Sequence, residues 1–333
     1  MTLHTPYLEI NLAAYQRNLK RIKAMCEGSK VMAVVKADAY GHGLVEITKA
    51  AVAAGADMLG VLDIETGLEL RKHSIDLPAF AWLHSPQSDF AAAIDAGIEL
   101  SVSTTEELER IAAAGFATVH LKIDTGLNRN GATVEEWPAL LELAERLQTD
   151  GRLRVAAVWS HLADAGAEAD EAAIEVFEWA WKLAQERGLG AYRHLASSPS
   201  AFAHPRIRYE MVRIGVSAFG VSPVENMSRD ALELDAVMTL IAEARGPHTL
   251  AIGFEHGVSS AIEGITLANG LRITLVEPFQ TRLDASNPAL EVGQRVELFG
   301  AETDVQNWAD KLKTVPDEIF AALWTLPKAY LHN

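Results

Sequence analysis

ELSVSTTEELERIAAAGFATVHLKI, residues 99–123, is the stretch that decides the fold. A short apolar run at 99–102 leads into a helical pattern at 105–114, whose apolar residues recur at spacings of three and four. A second apolar run follows at 118–123. Two strands joined through a helix run parallel, because the crossover returns the chain to the same edge. The alternation extends outward in both directions. Further strands are predicted at 31–35, 57–62, 79–83, 154–159, 192–196 and 211–215, with helices at 45–54, 65–72, 88–96, 134–148 and 171–187. Eight such units in about 200 residues point to an α/β fold of the closed (β/α)8 TIM-barrel kind; an open doubly wound sheet is the alternative. After Pro223 the texture changes. Short strands are predicted at 234–244, 248–253, 271–278 and 289–300, with a turn at Asn269-Gly270. The early run 7–12 reads as a strand able to pair with them. The expected organisation is a barrel over 12–223 and a second, smaller, mostly-β domain over 224–333 together with 1–11.

The chain has 333 residues, 49% of them hydrophobic, enough for one large core or a large and a small one. Its 29 Lys and Arg against 45 Asp and Glu leave a net charge of -16. That sign repels phosphate backbones and anionic lipid, so neither nucleic acid nor membrane is expected as the main partner. The single cysteine, Cys26, excludes an intramolecular disulfide and reads as a small buried hydrophobe. No signal peptide is expected from Met1 to Leu12, and no uncharged apolar run reaches the length of a membrane span. A cytoplasmic protein is the expectation.

In a (β/α)8 barrel the chemistry gathers where the strands end. Lys36 follows the first strand; Lys122, Asp124 and Arg129 the fifth; His161 the sixth; Ser197 and Ser198 the seventh; Arg213 and Gly215 the eighth. Loops after the last two strands of this fold commonly bind phosphate, through small hydroxyls and backbone N–H groups. No P-loop or GxGxxG pattern is present, so neither a nucleoside triphosphate nor a dinucleotide is indicated. Lys36 ends an apolar strand in Val34-Val35-Lys36-Ala37-Asp38-Ala39-Tyr40-Gly41-His42-Gly43. An amine held in the barrel mouth would be freed as a nucleophile. On periodicity alone, a lysine snorkelling to solvent fits equally.

That run strongly resembles the cofactor-lysine signature of alanine racemases. Three further blocks follow in the family's order: His120-Leu-Lys-Ile-Asp-Thr-Gly-Leu-Asn-Arg129, Ser160-His161-Leu-Ala, and Met211-Val-Arg-Ile-Gly-Val-Ser-Ala-Phe-Gly220. With Leu8-Glu-Ile-Asn-Leu12, the resemblance covers about residues 7–223. It implies a pyridoxal 5'-phosphate (PLP) enzyme that racemises an amino acid and works as a homodimer. By resemblance Lys36 carries the cofactor and serves as one of two acid–base groups. Arg213 faces the pyridine nitrogen; because it keeps its proton, the ring stays a weaker electron sink and transamination is disfavoured. Tyr40, Ser198 and the backbone at Gly215 and Val216 match the phosphate cradle, and His161 the histidine packed on the ring. Arg129 matches the residue orienting the substrate carboxylate, and Lys122 the lysine often carbamylated to hold that arginine. Ser197 and Asp38 stand where the family usually has asparagine.

The C-terminal region departs. The family's second base is a tyrosine in a Gly-Tyr-Ala-Asp-Gly-like block that reaches the neighbouring subunit. The matching stretch here is Gly253-Phe254-Glu255-His256-Gly257, and Phe254 has no hydroxyl. The Cys-Met-Asp-Gln-like block, whose N–H binds the substrate carboxylate, aligns with Glu277-Pro278-Phe279-Gln280, and Pro278 has no N–H. The segment that normally precedes the tyrosine block is shortened between Gly246 and Thr249, and Trp324 falls about where a phosphate-contacting tyrosine is expected. Two readings compete: a PLP-dependent racemase in which Glu255 or His256 replaces the second base, and a catalytically impaired PLP-binding carrier or regulatory relative. A Schiff-base lyase without PLP is a third. The sequence leaves open the amino acid used and whether Lys122 is modified.

Overall fold

The computed structural model describes residues 6–163, 165–224 and 227–332. The reading of Met1 to Leu12 as free of a leader falls partly outside them. Two compact units are present. One comprises Arg21–Lys36 and Gly55–Gly215; the other comprises the described residues up to Lys20, then Ala37–Ala54, then those from Val216 onward.

Strand β1 (Tyr7–Asn11) belongs to the second unit. The first is built on eight strands: β2 (Lys30–Val34), β3 (Met58–Val61), β4 (Ala79–Ala81), β5 (Ile98–Val102), β6 (Ala117–Lys122), β7 (Leu153–Trp159), β8 (Tyr192–His194) and β9 (Met211–Ile214). All pair in parallel in the order β8-β7-β6-β5-β4-β3-β2-β9, so the sheet curls until its two ends meet. No ladder joins β8 to β9 among the described residues. Arg213 bridges that seam instead: its backbone N–H donates to Ala196 O at 3.0 Å, and its side chain reaches the carbonyls of His194 and Leu195. The nearly closed (β/α)8 barrel expected from the alternation is therefore present.

Strands such as Met58–Val61 are buried at every position, because neighbouring elements cover both faces of a parallel sheet. Inside, Met32, Met58, Phe80, Trp159 and Met211 form an apolar cluster. Removing the Phe80 ring would cost about 3–5 kcal/mol. The helices start where short polar side chains accept the first orphan N–H groups: Asp63 from Thr66 at 2.7 Å, Asp89 from Ala92 at 2.9 Å, Thr104 from Glu107 at 3.1 Å. Among the described residues no helix is long and apolar enough to cross a membrane.

The second unit carries a seven-stranded sheet of β1, β10 (Met238–Gly246), β11 (Thr249–Leu250), β12 (Ile273–Val276), β13 (Thr281–Leu283), β14 (Arg295–Phe299) and β15 (Lys328–Leu331). β1 pairs antiparallel with β10, as its early reading anticipated, and parallel with β15. β13 and β15 were not foreseen. Both are very short, and exposed Arg282 interrupts the apolar pattern of β13. The run predicted at 248–253 shrinks to Thr249–Leu250, because Gly253 leaves the ladder to lie against the carbonyls of Glu277 and Pro278.

Candidate active site

Three strand ends of the first unit carry cationic side chains and a fourth carries His161. Lys122 closes β6, 2% exposed, with its ammonium 4.5 Å over the Trp159 ring and hydrogen-bonded to Asn130 Oδ1. Burial, then the nearby charges of Arg129 and Arg213, push its pKa down to about 7. Arg213 in β9 is buried and makes five hydrogen bonds, all from its terminal nitrogens. Nη1 donates to His194 O at 2.9 Å and His194 Nδ1 at 3.1 Å; Nη2 donates to Ser160 O and Leu195 O at 2.8 Å and to His161 Nδ1 at 3.0 Å. Burial, then Arg129, push Arg213 down to about 9, still protonated at neutral pH.

His161, just past β7, is where these charges meet. Its pKa is pushed down to about 3, first by burial and then by Arg213, Arg129, Lys122 and Lys36. A neutral imidazole bonded to Arg213 and under the influence of neighbouring basic side chains, in a chain of net charge -16, makes a locally electropositive site. The loop bearing Arg129 is shaped by Asp124, whose Oδ1 accepts the N–H groups of Gly126 at 3.0 Å and Asn128 at 3.1 Å. Gly131 returns that loop to the strand: at φ 113°, a Cβ there would lie 2.8 Å from Asp124 N. Ser198 Oγ accepts the Gly215 N–H at 3.0 Å, tying the loops after β8 and β9 together.

Tyr40 and Val216 lie in the other unit. The residues after Lys36 do not continue as an ordinary helix. Ala37, Asp38, Ala39 and Tyr40 take φ of 52–54°, a left-handed turn that costs about 1–2 kcal/mol per residue. The motif explains how it is held. His42 Nδ1 donates to Tyr40 O at 2.8 Å and Ala39 O at 3.1 Å, and the His42 ring sits 4.5 Å from Phe219 and 4.9 Å from Phe320. Gly41 is required because a Cβ would approach Phe320 O to 2.4 Å. Tyr40 is buried 4.9 Å from Phe219, and burial pushes its phenol well above the usual range. Val216 opens the short turn Val216–Phe219.

The two points of departure are neighbours. Phe254 N–H donates to Glu277 O at 3.1 Å, and Glu255 N–H donates to Pro278 O at 2.9 Å. His256 Nδ1 accepts the Gly253 N–H at 3.1 Å, and its ring lies edge-on to Phe279 at 5.9 Å. Burial, then Arg245, lower the His256 pKa. Phe254, Phe279 and Trp324 are 44%, 58% and 62% exposed.

The first unit is thus a barrel whose strand-end lysines, arginines and histidine define an anion-receiving centre. The family described as alanine racemase, N-terminal domain, matches residues 10–223. An alanine racemase of Mycolicibacterium smegmatis is 35% identical, with 93% of this chain and 90% of that protein covered. One from Salinispora tropica is 32% identical with 97% of each covered. Among solved structures, the alanine racemase of a D-cycloserine-producing Streptomyces lavendulae superposes with a TM-score of 0.93 at 30% identity, covering 99% of this chain and 98% of that one. The enzyme of Clostridium difficile, solved in complex with cycloserine, gives 0.90 at 26%, covering 100% and 97%. This chain belongs to the alanine racemase family. It is an amino-acid racemase with PLP as its cofactor, and the carrier reading is not favoured.

The residues present fit that cofactor. The electropositive site suits a phosphate and a substrate carboxylate, and the five bonds of Arg213 leave its Nε–H unused. Sequence reading singled out Lys36, Lys122, Arg129, His161 and Arg213 but passed over Asn130, Trp159 and His194. His194 had a signal: it falls in a predicted strand, just before the paired serines.

Proposed function

We propose that this enzyme interconverts the enantiomers of a small amino acid, alanine being the substrate named for its relatives, with Lys36 holding PLP covalently. The observation that carries the reading is Arg213, buried and hydrogen-bonded to His161 Nδ1 and Ser160 O at the strand ends, beside the loops that Ser198 and Gly215 tie together. Lys36 would hold PLP, which, once linked to the substrate's own amine in place of Lys36, would supply the electron sink that acidifies the Cα proton and leave the Lys36 amine free. Lys36 moves that proton on one face. Arg213 donates toward the pyridine nitrogen without yielding its proton, which favours returning the proton to Cα over transamination. His161 packs on the ring, and Arg129, with Lys122 behind it, orients the carboxylate. Tyr40, Ser198, Gly215 and Val216 are assigned to the phosphate by their place in the motif. These roles support a PLP-binding barrel over 12–223 and a β domain over 224–333 with 1–11.

Phe254 cannot exchange a proton, so the second face is served by Glu255, His256 or water. His256 Nδ1 is occupied by the Gly253 N–H, which leaves Nε2 for exchange. The exposed rings of Phe254, Phe279 and Trp324 support a head-to-tail homodimer in which each β domain serves its partner's barrel. Val258, apolar and four residues beyond Phe254, would be expected to join them but is 1% exposed and takes no part. A cytoplasmic location accords with the family and the acidic surface. Deuterium exchange at Cα of a panel of L- and D-amino acids, followed by chiral analysis, tests the reading. Exchange with inversion of alanine is expected, and absence of exchange from every amino acid would overturn it.

A further inference from the structure

Inside the barrel, away from the strand ends, runs a chain of hydrogen bonds that the roles above do not use. Glu99 Oε2 lies 2.6 Å from His120 Nε2, His120 Nδ1 lies 2.9 Å from His194 Nε2, and His194 Nδ1 lies 3.1 Å from Arg213 Nη1. Its ends fix its polarity. A guanidinium only donates, so His194 Nδ1 is an acceptor and the ring's proton sits on Nε2. That N–H donates to His120 Nδ1, which places the His120 proton on Nε2, where it donates to Glu99 and reaches the Tyr192 hydroxyl at 3.1 Å. Both imidazoles are therefore neutral, in one tautomer each. Burial lowers both histidines' pKa values, which accords with neutrality. Burial raises the Glu99 pKa, but the hydrogen bonds from His120 and Tyr192 and the charge of Arg154 outweigh that, leaving its carboxyl below the usual range.

The rings cannot readily turn out of this arrangement. Both histidines are fully buried; Phe80 stacks on His120 at 4.2 Å and Trp159 on His194 at 5.5 Å, with interplanar angles of 14° and 7°. Glu99 keeps 18% of its side chain exposed, but the two imidazoles it leads to are fully buried, and polar groups in a barrel interior are costly compared with apolar packing, so the chain's presence calls for a use. The other hydrogen-bond partners of the Arg213 side chain are carbonyls and His161 Nδ1, all neutral. Among the described residues, Glu99 is the anion on its network.

We propose that Glu99 is a positioning residue for racemisation: acting through His120 and His194, it polarises the chain toward itself and thereby weakens the donation that Arg213 can make in the barrel mouth. Hydrogen bonds in series polarise one another, so a carboxylate at one end makes His194 Nδ1 a better acceptor at the other. A guanidinium drawn to that acceptor is a milder donor to a ring nitrogen, which keeps the cofactor a weak electron sink. The inference rests on the racemase reading for its consequence, but the chain itself does not.

Two measurements test it. In native protein without cofactor, ¹⁵N spectra of the histidines should show His120 and His194 neutral and protonated at Nε2, with a His120 proton shifted far downfield by its carboxylate partner. Either ring found protonated at Nδ1 would overturn the chain. Glu99→Gln keeps the shape and an acceptor but removes the charge. It should abolish the downfield proton, shift the absorption of the bound cofactor, and raise side transamination per racemisation, because the chain loses the charge that polarises it. A folded Glu99→Gln protein with unchanged absorption and unchanged product ratio would show that Glu99 only fills the barrel. Should Glu99→Gln not fold, Tyr192→Phe, which removes a neutral hydrogen-bond donor to Glu99 and leaves the carboxylate to pull harder on His120, should shift absorption in the opposite sense, and no shift would count against the proposal. If the native protein exchanges no substrate proton while the tautomers are as stated, the racemase reading fails and the hydrogen-bonded chain stands.

Discussion

The strand ends of the barrel and the stretch around Phe254 treat the family's chemistry in opposite ways. Around His161, every cation that the motifs mark is present, and loop contacts such as those of Asp124 and Gly131 hold Arg129's segment in shape. Around Phe254, the backbone is as closely built, with Glu255 N–H bonded to Pro278 O, yet the phenol and the carboxylate-binding N–H are both gone. The two losses sit side by side, which is how a coordinated change in one half of a site would look. On the proposed roles, holding the cofactor and moving the second proton belong to different regions, and the departures from the family's motifs fall in the second.

The comparison breaks first at Lys36. Lys36→Ala should abolish the visible absorption of the bound cofactor and its sensitivity to borohydride; a normal band in that variant would remove the barrel mouth from the chemistry. Next comes the altered region. Loss of a positioned acid–base group costs about 10²–10⁴-fold, so alanine racemisation by the native protein should be slow by that order, while exchange on the Lys36 face persists. Phe254→Tyr alone should restore little, because Pro278 still offers no N–H to the carboxylate. Full-speed racemisation by the native protein would show that another residue replaces the phenol.

Arg213→Glu sharpens the contrast from the barrel side. A carboxyl that shares a proton with the ring nitrogen should raise side transamination relative to proton exchange. Because Arg213 also spans the β8–β9 seam, thermal stability should fall by about 3–5 kcal/mol. An unchanged product ratio in a folded variant would assign Arg213 to structure alone. Sedimentation at micromolar concentration should give a dimer, with Phe279→Ser shifting it toward monomer; a native monomer would leave the exposed rings without a partner and separate the two regions altogether.

The smallest effect concerns Lys122. Its folded pKa of about 7 lies below the 10.5 of an unperturbed lysine, so between those values the unfolded chain binds more protons and stability rises with pH. Below about pH 7 the buried charge penalises folding in full. Unfolding free energy should therefore climb from pH 7 to 9, by up to about 1 kcal/mol per unit, and Lys122→Met should flatten that slope. An identical slope in the variant would mean the burial of Lys122 is relieved by other means.

Much of this was determined by sequence alone. Strand and helix alternation dictated the barrel because parallel strands need helical crossovers, and the order of Lys36, Arg129, His161 and Arg213 along it placed them at successive strand ends. The run from Lys36 to Gly43 was read only as a cofactor-lysine signature, and it is the structure that shows four left-handed residues in it braced by His42. Other features depended on contacts between residues far apart in the chain, which no local pattern records. Val258 and Phe254 look alike in sequence, yet one is buried and the other exposed. The basic surroundings of His161 exist because separate strand ends converge there. Glu99, His120 and His194 stand on three different strands, and only the closure of the barrel, which brings those strands' inward faces within hydrogen-bond reach, joins them to Arg213.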